Sequence, residues 1–266
     1  MDIKFIFNDF KSQVAFTLLL VWLLAQRPAQ DKLLAFALPL FAVLLMTALD
    51  VVYTRIRFKK WYWPSASVVT GFLIGLVIDP KEPVGILALA VLAAFISKQF
   101  IGSGFRQHIF NPAAFGIMTV TFAFGVPVAW WGVAWGKLPL VILVVAMMRI
   151  LWRMKRLWLP LGFLAVYSIY YLTLFEPKNA ALALADGSLL LFALVMLPEP
   201  MTSPIIGKSK YIFGPVVALL AIGLSYWGVM AEVFLPALLA ANLGAYLARR
   251  LNNGSARTAV VGKDGK

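Results

Sequence analysis

The sequence predicts an all-α integral membrane protein of about ten transmembrane helices in two inverted five-helix repeats, and three observations carry that expectation. Of 266 residues, 62% are hydrophobic and 13% charged, whereas a soluble domain carries about 25% charged residues. The Lys and Arg residues alternate between the two ends of successive apolar segments, as orientation in a bilayer demands. Two stretches of the first half are echoed in the second.

A spanning helix needs about 20 mostly apolar residues, fewer when it is broken. Ten segments meet that description: Gln13–Ala25, Leu33–Tyr53, Ser65–Ile78, Val84–Ile101, Asn111–Phe124, Leu138–Trp152, Leu157–Phe175, Ala180–Leu197, Tyr211–Gly228 and Ala231–Ala248. With these segments, nineteen of the 24 basic residues fall on the N-terminal side, and Arg27, Lys32, Lys81, Lys137 and Lys178 fall on the other. Basic residues gather in the cytoplasm, so both termini are expected there, in the cell (inner) membrane. Trp61, Tyr62, Trp63, Trp152 and Trp158 stand beside basic clusters, as interfacial anchors do. No small-residue cleavage pattern follows the first apolar run, so no cleaved signal peptide is expected.

Thr70–Pro83 and Asp186–Pro200 share a small polar start, an apolar run and an acidic residue among prolines, and His108–Ala113 is echoed more weakly by Glu232–Ala237. Five segments repeated once must enter the bilayer from opposite sides, which defines an inverted repeat. The expected organisation is a cytoplasmic tail at 1–12, a first repeat at 13–124, an external loop at 125–137, a second repeat at 138–248 and a cytoplasmic tail at 249–266. In such folds the paired Gly/Pro-interrupted segments, here Ser65–Pro83 and Asp186–Pro204, line a central site.

Gly102 to Gly116 is the least membrane-like stretch beside long apolar runs, with Gly102, Gly104, Arg106, Gln107, the single His108, Asn111 and Pro112 close together. Non-helical backbone survives at membrane depth only where protein or a water-filled cavity covers it, which suggests a buried site. The plainer reading is a cytoplasmic loop with Asn111 as helix N-cap and Pro112 at the first helical position.

These motifs also carry a resemblance. Gln107-His108-Ile109-Phe110-Asn111-Pro112-Ala113-Ala114-Phe115-Gly116 resembles the N-I-F-N-P-A signature of the Nqr/RnfD family, the homologous membrane proteins of Rnf-type electron-transport complexes and of the sodium-pumping NADH:quinone oxidoreductase. Pro198-Glu199-Pro200-Met201-Thr202-Ser203-Pro204, continuing to Gly214, is similar to that family's D-P-V-T-S-P segment. The resemblance implies a urea-transporter-like fold within a membrane electron-transfer assembly, and it implies flavin. Family members attach FMN to a threonine in the outer loop, but Gly125–Lys137 holds neither serine nor threonine, so covalent FMN is excluded there. Asp186-Gly187-Ser188 is the nearest echo of the attachment sequence and lacks its Ala-Thr.

A noncovalent FMN or riboflavin needs a slot for an apolar ring and donors for its polar edge, and FMN also needs a cation for its phosphate. Arg106 could supply the cation, with the backbone N–H groups at Asn111 adding a positive dipole end. Thr202, Ser203, Lys208 and Lys210 offer donors on the same side, although orientation in the bilayer alone accounts for the two lysines. The resemblance places the glycine-rich approach near a quinone site, making Gly102 and Gly104 candidates for close contact with a ring, and quinone a candidate partner. His108 is a candidate proton relay or an ordinary loop histidine. Asp79, Glu82 and Glu199 are candidates for gating or binding a cation, or are solvated turn residues. Asp50 is costly against lipid and either reaches the interface or faces the interior, and Asn242 is placed for a helix-to-helix hydrogen bond.

Without cysteine and with one histidine, the chain alone cannot ligate iron–sulfur clusters or bis-histidine haem. No Ser-His-Asp set, metal-ligand cluster or P-loop is present, so at most it is one subunit of a translocating oxidoreductase. The formal charge of +13 is spread in short clusters between apolar runs, which argues against nucleic acid. The expected function is a membrane subunit of an Rnf/Nqr-like complex that binds flavin noncovalently and couples electron transfer to sodium or proton transport. Its partners would be the lipid bilayer and other electron-transport subunits or a soluble flavin/iron–sulfur reductase. The alternatives are a transporter of flavin or another small solute on the same fold, and a structural anchor for a reductase.

Overall fold

The computed structural model describes residues 9–29, 31–59, 61–104, 107–134, 136–204, 207–228 and 230–261. The described chain is helical apart from one small hairpin: α1 (Phe10–Ala25), α2 (Lys32–Phe58), α3 (Ser65–Val77), α4 (Val84–Phe100), β1 (Gly102–Gly104), β2 (Gln107–His108), α5 (Pro112–Phe124), α6 (Lys137–Arg153), α7 (Trp158–Leu174), α8 (Pro177–Leu184), α9 (Gly187–Leu191, continued by a π-turn at Phe192–Met196), α10 (Ser209–Tyr226) and α11 (Phe234–Val261).

Every expected segment holds a helix, with differences that have local causes. The expected Ala180–Leu197 span is broken into α8 and α9, bent by 52°. The break lies at Asp186, whose carboxylate caps the new helix by accepting from the backbone N–H groups of Ser188 and Leu189. Beyond α9 the chain widens into the π-turn, all of it buried. The last helix runs past Ala248 to Val261. The Gly102–His108 stretch is an antiparallel hairpin pairing Gly102 with His108 and Gly104 with Gln107, so its backbone groups find partners locally.

Among the described residues two helices, α2 and α10, are each long and apolar enough to cross a membrane, and the bent α8–α9 pair makes a third span if counted as one. Five others, α1, α3, α4, α5 and α7, are apolar but shorter. Outward-facing Phe16, Leu44, Val145 and Leu219 give the bundle an apolar surface, as lipid contact requires.

The centre is built by α3 and the π-turn, whose residues are almost all buried. Helix α3 packs on α2 and α1, α4 on α5, and α7 on α10. The first-half helix α1 lies against α6, and α5 against α11. The loop after α5 folds back over the end of α3, where Ala129 and Trp130 donate to the Val77 carbonyl and Trp131 Nε1 donates to that of Gly75 at 2.8 Å.

Close approach of α2 and α3 depends on Gly71 and Gly75, a GxxxG pair on one helical face. A Cβ at either position would sit 2.5 Å from a Cα of α2, that of Val43 or Pro39. Gly71→Val is therefore expected to push the helices apart and destabilise the fold by about 1–3 kcal/mol. The thermal midpoint of the detergent-purified variant tests this, and an unchanged midpoint would contradict the packing.

Candidate functional site

At the end of the bundle carrying most basic residues, elements from both halves bring charged and polar groups into the interior. His108 on β2 and Glu199, in the loop after the π-turn, are 91 residues apart in sequence and meet at 2.9 Å through Nε2 and Oε1. The hydroxyl of Thr202 donates to Glu199 Oε2 at 3.1 Å, and that of Ser203 to the Glu199 carbonyl at 2.6 Å. Arg156, in the turn between α6 and α7, donates to the Ser203 hydroxyl at 2.5 Å and its carbonyl at 3.2 Å, and Arg249 on α11 donates to the Thr202 carbonyl. Burial pushes the Glu199 carboxyl up, but the charge and hydrogen bond of His108, the charge of Lys11 and the Thr202 hydroxyl outweigh it and hold Glu199 below the usual glutamate range. Burial likewise pulls the Arg156 guanidinium down to about 10, against the support of Glu199, so it stays cationic near neutrality.

A second cluster lies alongside. Asp50 of α2 is fully buried and paired with Lys98 of α4 at 2.9 Å. Its carboxylate also accepts from Ser67 of α3 at 2.5 Å, from Tyr62 and from Gln99, while Lys98 Nζ donates to Ser67 at 2.7 Å. Lys11 and Glu199 lie within Coulombic reach of Lys98, so the two clusters form one charged system spanning both halves. Between Lys11 and Glu199 is a cavity of about 70 Å³, walled by Val69, Thr70, Leu73, Met147 and Val195. It has room for an ion and a few waters but not for a flavin or quinone ring, whose pockets run to several hundred Å³.

The expected site residues divide accordingly. His108, Thr202 and Ser203 are buried and turned onto Glu199. Asn111 is the N-cap of α5, its side chain accepting from Ala114 N at 3.1 Å, with Pro112 in the first turn. It also ties the halves together: its N–H donates to Asn242 Oδ1 at 3.0 Å and its side chain to the Met196 carbonyl at 3.2 Å. Gly102 is exposed in the hairpin with Gly104, and Lys208 is exposed just ahead of α10. Arg106 lies outside the described residues. Asp79 shapes its own turn, its carboxylate accepting from Lys81 N at 2.8 Å and its carbonyl from Glu82 N. Asp79 and Glu82 follow the C-terminal end of α3, whereas Glu199 shares the cavity with Ala66 and Thr70 near its start. A 13-residue helix is about 20 Å long, so the structure separates these carboxylates.

Sequence reasoning missed Lys98, Arg156 and Lys11 as site residues, having counted them with the general positive bias. A signal was available for Lys98, which stands four residues after Ala94 and seven after Val91, on the face of α4 that is buried.

Apolar helices, a broken central span and a charged interior at one end define an integral membrane protein with a polar centre between two halves. Residues 9–137, just under half the chain, match the model of the NQR2, RnfD, RnfE family. Comparison with curated proteins gave no match.

Proposed function

We propose that this chain is a membrane subunit of an Rnf/Nqr-type electron-transport complex and couples electron transfer to movement of a proton or sodium ion, with Glu199 as the carboxylate that the ion meets first. The observation that carries this reading is the placement of ionised Glu199 beside an ion-sized cavity, against His108 and within reach of Lys11 and Lys98. A carboxylate in that position is unfavourable unless compensated, and the compensation comes from both halves of the chain.

The accompanying architecture is ten membrane-crossing segments in two inverted, urea-transporter-like repeats with both termini cytoplasmic. Its support is a packing pattern that repeats. Contacts of α2 with α4 and α4 with α5 are matched by those of α7 with α10 and α10 with α11, and the equivalent helices α1 and α6, and α5 and α11, pair with each other. FMN or riboflavin, held without a covalent bond, is the redox group of the proposal. It would sit at the exposed cytoplasmic rim near Gly102 and Lys208 against a neighbouring protein of the complex, because the interior cavity is too small for its ring. Quinone would approach the same rim.

The test is a visible spectrum of the complex purified in mild detergent, followed by acid precipitation. A yellow chromophore that bleaches with dithionite, leaves with the supernatant and is lost when Lys208→Glu is introduced is the expected result. A colourless complex sinks the flavin assignment. The absence of any acceptor hydroxyl in Gly125–Lys137 favours one second reading, transport of flavin or another small solute. Uptake of riboflavin by liposomes carrying this chain alone would establish it.

A further inference from the structure

A groove of about 600 Å³ lies between α1, α3 and α6, lined by other residues of the helices that also wall the Glu199 cavity. Its walls change character along its length. Leu19, Phe72 and the half-exposed ring of Phe16 make one end apolar, and the other end carries Ser12, Trp63, Arg149 and Arg153. Arg149 and Arg153 stand four residues apart in the last turns of α6, on one face, so both guanidinium groups project from the same side of the groove. Among the described residues neither is paired with a carboxylate, and Arg153 packs instead over the Phe10 ring at 5.3 Å. The indole N–H of Trp63 donates to the Ser12 hydroxyl at 3.0 Å, which fixes an interfacial aromatic at the polar end.

We infer that this groove is a binding site for an anionic phospholipid, its phosphodiester held by Arg149 and Arg153 and an acyl chain lying against Phe16, Leu19 and Phe72. The charge complementarity is direct: two cations with no carboxylate partner among the described residues open onto a surface that is apolar where a lipid is apolar. Basic residues at the cytoplasmic end of a space between membrane helices match the headgroups of acidic lipids, and guanidinium forks suit phosphate oxygens. Because α1 and α6 belong to different halves, a lipid seated there would also brace the junction that frames the Glu199 cavity.

The experiment is native mass spectrometry of the purified chain after equilibration in mixed micelles holding equal amounts of phosphatidylglycerol and phosphatidylcholine. Phosphatidylglycerol is expected to be retained preferentially, and Arg149→Gln with Arg153→Gln is expected to lower that preference about thirtyfold. Ala146→Phe, which fills the apolar part and keeps both arginines, is expected to remove retention as well. Equal retention of the two lipids by the unaltered chain would overturn the proposal. So would retention that survives Ala146→Phe, since that is surface charge without a groove, or displacement of the lipid by an equal concentration of FMN.

Discussion

Asp50→Ala is expected to destabilise the protein by about 3–5 kcal/mol, the cost of leaving one member of a buried ion pair without its partner. The carboxylate is fully buried and is the common acceptor for groups from three other places in the chain: Lys98 and Gln99 on α4, Ser67 on α3, and Tyr62 before α3. Its removal leaves the Lys98 ammonium with the Ser67 hydroxyl as its direct partner and only the more distant charge of Glu199 to offset it. Lys98→Met should cost about as much, and the double substitution should cost less than either alone, because two missing charges leave nothing uncompensated. The comparison is made with thermal midpoints of the purified variants in one detergent. Single-variant costs below about 1 kcal/mol, or simple addition in the double variant, would show that the pair is not a structural unit.

How much of this could be read beforehand depends on which physical rule governs each element. Helix positions were legible because burial in lipid forces long apolar runs, and the broken central helix was legible as a place because Asp186-Gly187 sits between two such runs. Its form was not, since a π-turn is set by packing around Phe192–Met196 and not by composition. Asn111 as an N-cap is the plainer of the two readings of its stretch, and the structure shows that cap because the Asn-Pro pair follows a local rule. Its second role, bonding to Asn242 and to Met196, rests on contacts 131 and 85 residues away that no local pattern encodes. The same limit hid the charge cluster. Asp50 lies four residues after Met46 and four before Thr54, along the buried stripe of α2, so its inward direction was readable, but its partner Lys98 is 48 residues off. Thr202 and Ser203 offer hydroxyls to a ligand in the sequence, and in the fold both hydroxyls donate to Glu199, a partner that the local sequence does not announce.

Glu199→Gln is expected to leave the complex assembled while lowering ion movement per electron by more than about tenfold, because the amide keeps much of the hydrogen bonding to His108 and Thr202 but carries no charge. The companion change Glu199→Ala also strands the Thr202 hydroxyl and the His108 ring, and should cost about 1–3 kcal/mol of stability besides. The pH dependence separates charge from packing. The folded-state pKa of Glu199 lies below its ordinary value of 4.5, so the unfolded chain binds the proton more readily. The stability that its ionised form contributes is therefore present above about pH 4.5 and is lost as pH falls through the lower folded value. Thermal midpoints of the parent protein should fall on acidification through that window, and Glu199→Gln should flatten this part of the profile. An unchanged acid profile would mean that the charge of Glu199 does not hold the two halves together. Unchanged ion movement in the assembled complex would remove Glu199 from the ion's route, leaving the carboxylate as a clasp between His108 and the loop that carries Thr202.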